Sequence, residues 1–446
     1  MAGTVMTESG VRQVQRRTVT LLSVAQVFAG IGTGATVSIG SILAVELSGS
    51  TAWAGSVATV MTLGAALAAL PLASLADRRG RRIGQVTGLS AALLGTVLMV
   101  LAVVSGQFIL LVLGAAGIGV GTAASLQARF AAVDLADAEH RGRALSAVVW
   151  AVTVGAVAGP NLVQPGAVVG QALGLPPIAG PFVISAAGLL VATVMLFAGL
   201  RPDPLLLARE LVAQQGAGQP PVTLQAPPAQ ARSGGSLVRG MRAIRQSRAA
   251  WLALAAVVGA HAVMVGVMSM TPLHLQELVA GPGHAGHAAT GDVLVIIGFT
   301  ISLHIAGMFA LSPVMGWLTD KAGRTETIMI GFATLIAAVA VAGFGQASTA
   351  AVAVGLVLLG VGWSASTISG STLLAESVGQ ESRVMVQGVS DMLMGAAGAV
   401  GGATSGLVLS GAGYLGLNLV GAVVGAAVLA AASVTLLAQR RKSVPG

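Results

Sequence analysis

The chain has 446 residues, of which 55% are hydrophobic and only 9% are charged. Because a soluble globular domain carries roughly 25% charged residues, this chain has too few charged side chains to cover a surface that faces water. The composition therefore excludes a soluble enzyme, a nucleic-acid-binding protein and a disordered chain. The absence of cysteine also excludes disulfide bonds and thiolate metal sites. We expect a polytopic helical membrane protein that is not an enzyme and has no cofactor.

Twelve apolar runs follow one another along the chain, and each is long enough for a membrane helix, which needs about 20 residues. We expect a cytoplasmic tail at 1–17, a first six-helix half at 18–200, a cytoplasmic linker at 201–248, a second six-helix half at 249–438 and a cytoplasmic tail at 439–446. The predicted fold is thus an all-α polytopic membrane protein with twelve transmembrane helices in two pseudo-symmetric six-helix halves. The runs lie near 18–47, 51–76, 83–104, 107–133, 143–170, 177–200, 249–278, 291–319, 325–346, 349–375, 384–410 and 413–438.

Positive charges occur in alternate loops between the runs, in the linker and in both tails, and the other loops contain no Lys or Arg. By the positive-inside rule, both tails and the linker then face the cytoplasm, as expected for a multi-pass protein of a bacterial inner membrane. This distribution explains the net charge of +8 without a nucleic acid. We expect a monomer whose partners are the lipid bilayer and a small inorganic or organic substrate. The basic loops contain Arg78, Arg79, Arg81, Arg82, Arg141, Arg143, Lys321, Arg324 and Arg383.

Two loops of the first half are repeated in the second half at a matching spacing. The sequence "LADRRGR" at 75–81 matches "LTDKAGR" at 318–324, and "DLADAEHRGRA" at 134–144 matches "ESVGQESRVMV" at 376–386. The first loop resembles the signature G-x-L-[AS]-D-x-x-G-R-[KR] of the major facilitator superfamily, with Ala73 in place of the usual glycine. This resemblance implies a twelve-helix transporter that works by alternating access.

Both copies of the first loop, at 75–81 and at 318–324, carry an aspartate, a glycine and an arginine that could form a gate. The aspartate can sit against the positive end of a helix dipole, and the glycine permits a sharp turn. The arginine can bridge to an acidic side chain in the next cytoplasmic loop and hold the cytoplasmic side shut in one state. The alternative is that these loops only set the topology. We call the eight residues the cytoplasmic clasp: Asp77, Gly80, Arg81, Asp134, Asp320, Gly323, Arg324 and Glu376.

The seventh and eighth runs carry methionine and histidine at helical spacing. Met264 and Met268 are four residues apart, as are His304 and Met308, so each pair lies on one face of its helix. Both pairs lie near the middle of their runs, the depth at which transporters bind substrates. Three thioethers and an imidazole favour Cu(I). The alternative is ordinary packing, because methionine is a common filler of apolar helices.

The combination of M-x-x-x-M and H-x-x-x-M on these two helices resembles the CcoA-like copper importers of the same superfamily. The resemblance implies that Met264, Met268, His304 and Met308 bind copper as the transported substrate. The CcoA-like group also contains members that move organic solutes such as riboflavin. We therefore keep open a proton-coupled transporter, for uptake or efflux, of a small organic solute such as a drug or vitamin. Possible accessory metal ligands outside the two motifs are His261, Met270, His274, His284 and His287.

Asp391 is an acidic residue inside the eleventh apolar run, and ionisable residues at membrane depth are functional candidates by default. It can carry a proton, bind substrate or pair with Arg383, which precedes it by about two helical turns. Arg129, near the end of the fourth run, is expected to support the clasp. The chain contains no phosphate-binding loop of the G-x-x-x-x-G-K-[ST] type, which indicates a secondary transporter rather than an ATP-driven one.

Overall fold

The computed structural model describes residues 7–49, 53, 56–217, 236–280 and 291–442. Within these residues the chain forms fifteen α-helices and no strand. The helices of the first part are α1 (Glu8–Ser48), α2 (Ser56–Arg79), α3 (Arg81–Ser105), α4 (Phe108–Ala131), α5 (Arg141–Asn161), α6 (Val163–Ala172), α7 (Gly180–Gly199), α8 (Pro204–Ala217) and α9 (Ser236–Arg245). They are followed by α10 (Arg248–Ala280), α11 (Gly291–Phe309), α12 (Ser312–Ala322), α13 (Arg324–Phe344), α14 (Thr349–Glu376) and α15 (Gln380–Lys442).

Each of the twelve apolar runs contains helix. The fifth run is divided between α5 and α6, and the eighth between α11 and α12. The last two runs form α15, which is interrupted at Gly413, where the backbone leaves the helical region with φ of 67°. Among the described residues, nine helical segments are long and apolar enough to cross a membrane. The all-helical membrane fold predicted from the sequence is thus confirmed.

The predicted linker contains more helix than expected at its start. Where the sequence predicts only a linker, at 201–248, α9 forms near its end and α8 forms at its start. The Asp203 carboxylate accepts hydrogen bonds from the backbone N–H groups of Leu205 and Leu206, at 3.0 and 3.3 Å. An acidic cap directly before a proline is a strong helix start, because proline at the first helical position needs no N–H partner. Leu205 is then fully buried.

The chain forms two compact units. The first contains Met1–Gln246 together with Val378–Met392, and the second contains Ser247–Ser377 together with Leu393–Gly446. The first unit therefore includes the beginning of α15, which we call segment 378–392, although this segment belongs to the second half of the sequence. The rest of α15 belongs to the second unit.

Glycines allow helices to pack closely inside each unit, as is typical of membrane proteins. In the first unit, a Cβ atom at Gly95 of α3 would lie 2.5 Å from the carbonyl oxygen of Gly114 on α4. In the second unit, a Cβ at Gly360 of α14 would lie 2.5 Å from the carbonyl oxygen of His304 on α11. The second contact matters for the candidate site, because it brings α14 against the turn of α11 that carries His304.

Candidate functional site

The three predicted thioether ligands lie in one hydrophobic cluster of the second unit. Met264 of α10 and Met308 of α11 are 7% and 9% exposed, and both belong to this cluster. Met268 packs against the same cluster from its edge. The structure therefore brings together the sulfur-bearing residues of the two motifs, although they are separated by a long stretch of sequence.

His304 lies one turn before Met308 and is 1% exposed. Its Nδ1 atom lies 2.7 Å from the carbonyl oxygen of Leu356 on α14. Because a carbonyl can only accept a hydrogen bond, Nδ1 carries the proton and a neutral ring keeps its lone pair on Nε2. Nε2 is buried and has no hydrogen-bond partner in the part of the chain that the structure describes. Histidines that bind metals commonly hold their second nitrogen on a carbonyl in this way.

His261 is connected to the same cluster through Trp363 of α14. The indole Nε1–H of Trp363 donates a hydrogen bond to Nδ1 of His261 at 3.2 Å. Trp363 itself is a member of the cluster and packs edge-on against Phe309, with ring centroids 5.8 Å apart. Of the accessory residues in the described ranges, His261 is thus the one that the structure connects to the cluster of predicted ligands. Trp363 could not be identified from the sequence, because an aromatic residue in an apolar run is typical of ordinary core.

Two of the other accessory residues, His274 and Met270, do not join this group. The His274 Nε2 atom lies 2.8 Å from the carbonyl oxygen of Gln346, and its ring stacks on Tyr414 with centroids 4.0 Å apart. Met270 packs against the separate cluster that contains Tyr414. His274 and Met270 therefore support a neighbouring part of the second unit. His284 and His287 were also predicted as accessory ligands, but they lie outside the described residues.

In the part of the chain that the structure describes, carboxylates and imidazoles alone do not form a metal site. Among the described ranges there is no group of three His, Cys, Asp or Glu side chains that could hold a metal ion. Any metal site in this region therefore depends on the methionine sulfurs. Ions that require several oxygen ligands, such as Mg²⁺ and Ca²⁺, do not suit such a site.

In the first half of the clasp, Arg81 and Asp134 form a buried two-point salt bridge. Arg81 Nε donates to Asp134 Oδ2 at 2.7 Å, and Nη2 donates to Asp134 Oδ1 at 3.2 Å. The same Nη2 also donates to Oε1 of Gln387 in segment 378–392, at 2.6 Å. The pairing suggested by the sequence is present. Gln387 was missed, although a lone glutamine in an apolar run is a recognisable signal.

Asp77 pairs with an arginine of α8, and a different aspartate lies beside Gly80 at the start of α3. Asp77 lies in the last turn of α2 and accepts a hydrogen bond from Arg209 of α8 at 2.5 Å. The acceptor at the start of α3 is instead Asp203, whose carboxylate receives the Arg82 backbone N–H at 2.7 Å. Asp203 fills this position because Gly80, with φ of 91° and no side chain, leaves space for its carboxylate. The carboxylate that binds the backbone at the start of α3 is thus that of Asp203, and the gating role of Asp77 stays a prediction.

The second half of the clasp repeats the main salt bridge. Arg324 donates to both carboxylate oxygens of Glu376, at 3.1 and 3.0 Å, and lies 3.6 Å from Asp320. Gly323, with φ of 112°, forms the turn between α12 and α13. The pairing suggested by the sequence is again present. Whether these contacts gate transport stays a prediction for both halves.

Asp391 pairs with Arg129 and not with Arg383. Arg129 Nη2 donates to Asp391 Oδ1 at 2.5 Å, and the two side chains are 3% and 0% exposed. Arg383 is too far along the helix, because eight residues of α-helix rise by about 12 Å. Arg129, which the sequence assigned only to support of the clasp, thus has a partner of its own in segment 378–392.

Comparison with known proteins agrees with this architecture. The model of the Major Facilitator Superfamily matches residues 22–296 and 292–445. The chain belongs to the Major Facilitator Superfamily. It is therefore a multi-pass secondary transporter of small solutes and not an enzyme.

Relatives within this superfamily span nearly the whole chain. The chain is 35% identical to YdeG of Bacillus subtilis, an uncharacterized MFS-type transporter, over 92% of its own length and 90% of the relative. It is 34% identical to a second such transporter, YddS, over 92% and 89% of the two chains. It is 26% identical to the riboflavin transporter RfnT of Brucella anthropi, over 90% and 92%. None of these names mentions copper, so the CcoA-like assignment stays a proposal.

Solved structures of superfamily members share the fold. The human organic anion transporter MFSD10 matches with a TM-score of 0.68 and 14% identity, over 94% of this chain and 99% of that one. The E. coli fucose:proton symporter FucP matches with a TM-score of 0.62 and 16% identity, over 93% and 97%. At such low identity these matches establish the fold alone.

Proposed function

We propose that this secondary transporter imports copper as Cu(I), and that Met264, Met268, Met308 and His304 bind the ion during transport. The observation that carries this proposal is the buried Nε2 atom of His304, which lacks a partner within the described residues and lies one turn from Met308. A buried polar atom without a partner is rare in folded proteins and requires an explanation. Binding of a soft cation would satisfy it.

The chemistry of the four side chains supports Cu(I) over other ions. Thioethers are soft ligands, and the fixed tautomer of His304 offers a neutral nitrogen. All four ligands are uncharged, so a monovalent ion would keep a single positive charge in an apolar surrounding. A divalent ion would need carboxylates to offset its larger desolvation. The methionines serve as core side chains in the absence of an ion, which is consistent with their membership of a hydrophobic cluster.

The clasp and the charge distribution supply the rest of the proposed mechanism. The paired arginines, Arg81 and Arg324, hold the cytoplasmic side closed in one state and release it in the other. Both chain termini lie in the cytoplasm and the protein resides in the inner membrane, as the basic loops indicate.

Copper content of cells tests this proposal directly. We expect that cells expressing the transporter accumulate copper, measured by mass spectrometry, and that Met264→Leu and His304→Gln each reduce this uptake about tenfold or more. Met264→Leu preserves the volume of the side chain but removes the sulfur. Met99→Leu is the matched control, because Met99 is a buried methionine of the first unit. Copper uptake that is equal in all four proteins would exclude the copper proposal.

A second candidate is an importer of a small organic solute, and the similarity to RfnT favours it. Under this alternative His304 donates or accepts a hydrogen bond with the solute, and the methionines form an apolar wall. Uptake of radiolabelled riboflavin in a strain that lacks its own riboflavin transporter distinguishes the two. Riboflavin uptake that is lost in His304→Gln but retained in Met264→Leu, with copper content unchanged, would support the organic solute.

A further inference from the structure

Two arginines attach segment 378–392 to the first unit, and the copper proposal uses only one of them, Arg81. Arg129 of α4 binds Asp391, and Arg81 of α3 binds Gln387. The same helix, α15, continues in the second unit from Leu393. Any rearrangement between the two units must therefore either bend α15 near residue 392 or break these contacts. The second possibility makes the two polar contacts part of the transport cycle.

The apolar side chains of the segment are buried against the first unit. Val384 and Met385 form a compact cluster with Ala73 and Ala76 of α2 and with Leu205 of α8. Val386 and Val389 of the segment are also fully buried, and a Cβ at Gly388 would meet the Cβ of Ala73, so the segment packs closely against α2. These apolar contacts do not change with protonation, so the charged contacts are the ones through which a proton can alter how firmly the segment is attached.

The ion pair between Arg129 and Asp391 is incompletely hydrogen-bonded. Asp391 Oδ2, Arg129 Nε and the neighbouring Ser390 Oγ are buried without a hydrogen-bond partner among the residues described. Arg129 also lies over the ring of Phe130, with its guanidinium carbon 4.8 Å from the centroid. Arg129 thus retains one favourable contact when Asp391 carries no charge.

Among the charged residues that the structure describes near Asp391, Arg129 is the one that forms an ion pair with it. Arg81 of α3 faces the same region and is neutralised by Asp134. Asp77 of α2 pairs with Arg209 of α8. The segment itself carries Glu381 and Arg383, two or more turns before Asp391, and α9, which approaches Val389 and Met385 through Gly240, carries Arg239 and Arg242. Arg129 is therefore the principal counter-charge of Asp391.

We propose that Asp391 is the proton-binding residue that couples transport to a proton gradient. One proton from the aqueous phase binds Oδ2, converts the carboxylate to the neutral acid and frees segment 378–392 from Arg129. Separating the ionised pair would leave two uncompensated buried charges, whereas separating the neutral acid leaves only the arginine. The proton leaves again when the segment returns and the ion pair re-forms. This proposal rests on secondary transport itself and holds for either candidate solute.

The absence of cysteine allows a test that is independent of the solute. Ala76 is 2% exposed and lies in the cluster beneath the segment, so Ala76→Cys reports its detachment through reaction with a small maleimide. Ala92→Cys, in the core of the first unit, is the matched control for pH-dependent thiol chemistry and for general loosening. Both reporters are introduced into the full chain, with Asp391 and with Asp391→Asn, and the reaction is followed over a range of pH.

We expect the reactivity of Cys at position 76, relative to the control, to rise as the pH falls when Asp391 is present. With Asp391→Asn, the reactivity at position 76 should be high and independent of pH, because a neutral side chain no longer holds Arg129. At neutral pH it should exceed the reactivity in the parent at least roughly tenfold. Asp134→Asn should raise the reactivity but leave the pH dependence in place. If Asp391→Asn does not fold, Arg129→Gln should abolish the same pH dependence. A pH profile that is unchanged in the Asp391 and Arg129 variants, or one that disappears only in Asp134→Asn, would overturn the proposal.

Discussion

A single backbone carbonyl decides which nitrogen of His304 is available for binding. The Leu356 carbonyl holds Nδ1–H, so Nε2 is the nitrogen that keeps a lone pair. The position of His304 in an apolar run identified it as a candidate, because an ionisable group at membrane depth is costly without a role. Its tautomer could not be predicted, because Leu356 lies on another helix, 52 residues later in the chain.

At the scale of single residues, the salt bridge between Arg81 and Asp134 also allows a prediction about the stability of the protein. Asp134→Ala removes both acceptors of the Arg81 guanidinium and leaves an uncompensated buried charge, with only the Gln387 oxygen as a partner. We expect a loss of about 3–5 kcal/mol in the free energy of unfolding, measured by denaturation of the purified protein in detergent.

The matched control for this variant is Glu139→Ala, because Glu139 is an exposed acidic residue in the same connection, between α4 and α5, as Asp134. A change within about 0.5 kcal/mol is expected there. Similar losses for the two variants would show that Asp134 does not stabilise Arg81 by charge.

At the scale of elements, the contact between α11 and α14 depends on a missing side chain. A Cβ at Gly360 would meet the carbonyl oxygen of His304 at 2.5 Å and the backbone nitrogen of Met308 at 2.8 Å. Because both neighbours are backbone atoms, Gly360→Ala must push the helices apart. We expect a loss of about 1–3 kcal/mol in the free energy of unfolding, together with reduced solute uptake, since His304 and Met308 move with their helix.

Gly411→Ala is the control for the helix propensity of alanine. It lies in α15, and nothing would come within 4 Å of the added methyl group. We expect this variant to be as stable as the parent or more stable by up to about 1 kcal/mol. A destabilisation equal to that of Gly360→Ala would mean that the close contact between α11 and α14 is not the cause.

Elements differed in how well they could be predicted from the sequence. The apolar runs located the membrane helices, because a helix in lipid needs a continuous apolar stretch that is visible without any tertiary information. The salt bridges of the clasp were also found, since the internal repeat placed each arginine and its acidic partner at the same spacing. Helix α8 was missed, although Asp203 before Pro204 is a recognisable start signal. The partner of Asp391 could not be found, because Arg129 is 262 residues away and no local pattern connects the two.

At the scale of the whole molecule, the two units do not follow the sequence repeat. Segment 378–392 belongs by sequence to the second half and by its contacts to the first unit. This exchange places Asp391, a residue of the second half, next to an arginine of the first. A proton that binds there acts on the helix that both units share, whereas the candidate solute ligands lie within the second unit alone. Coupling and solute binding can therefore be disrupted separately, and variants of Asp391 and of Met264 should have distinct phenotypes.

The orientation of the whole molecule gives a final prediction, which the absence of native cysteine makes easy to test. Gln107, in the connection between α3 and α4, and Glu139, in the connection between α4 and α5, are both exposed. Since Arg141 and Arg143 directly follow the second connection at the start of α5 and no basic residue lies next to the first, the positive-inside rule places Glu139 in the cytoplasm and Gln107 outside. In cells whose cell wall and any outer membrane have been removed, a membrane-impermeant maleimide should label Gln107→Cys. It should label Glu139→Cys only after the cytoplasmic membrane is permeabilised. The reverse pattern would invert the topology and, with it, the assignment of the clasp to the cytoplasmic side.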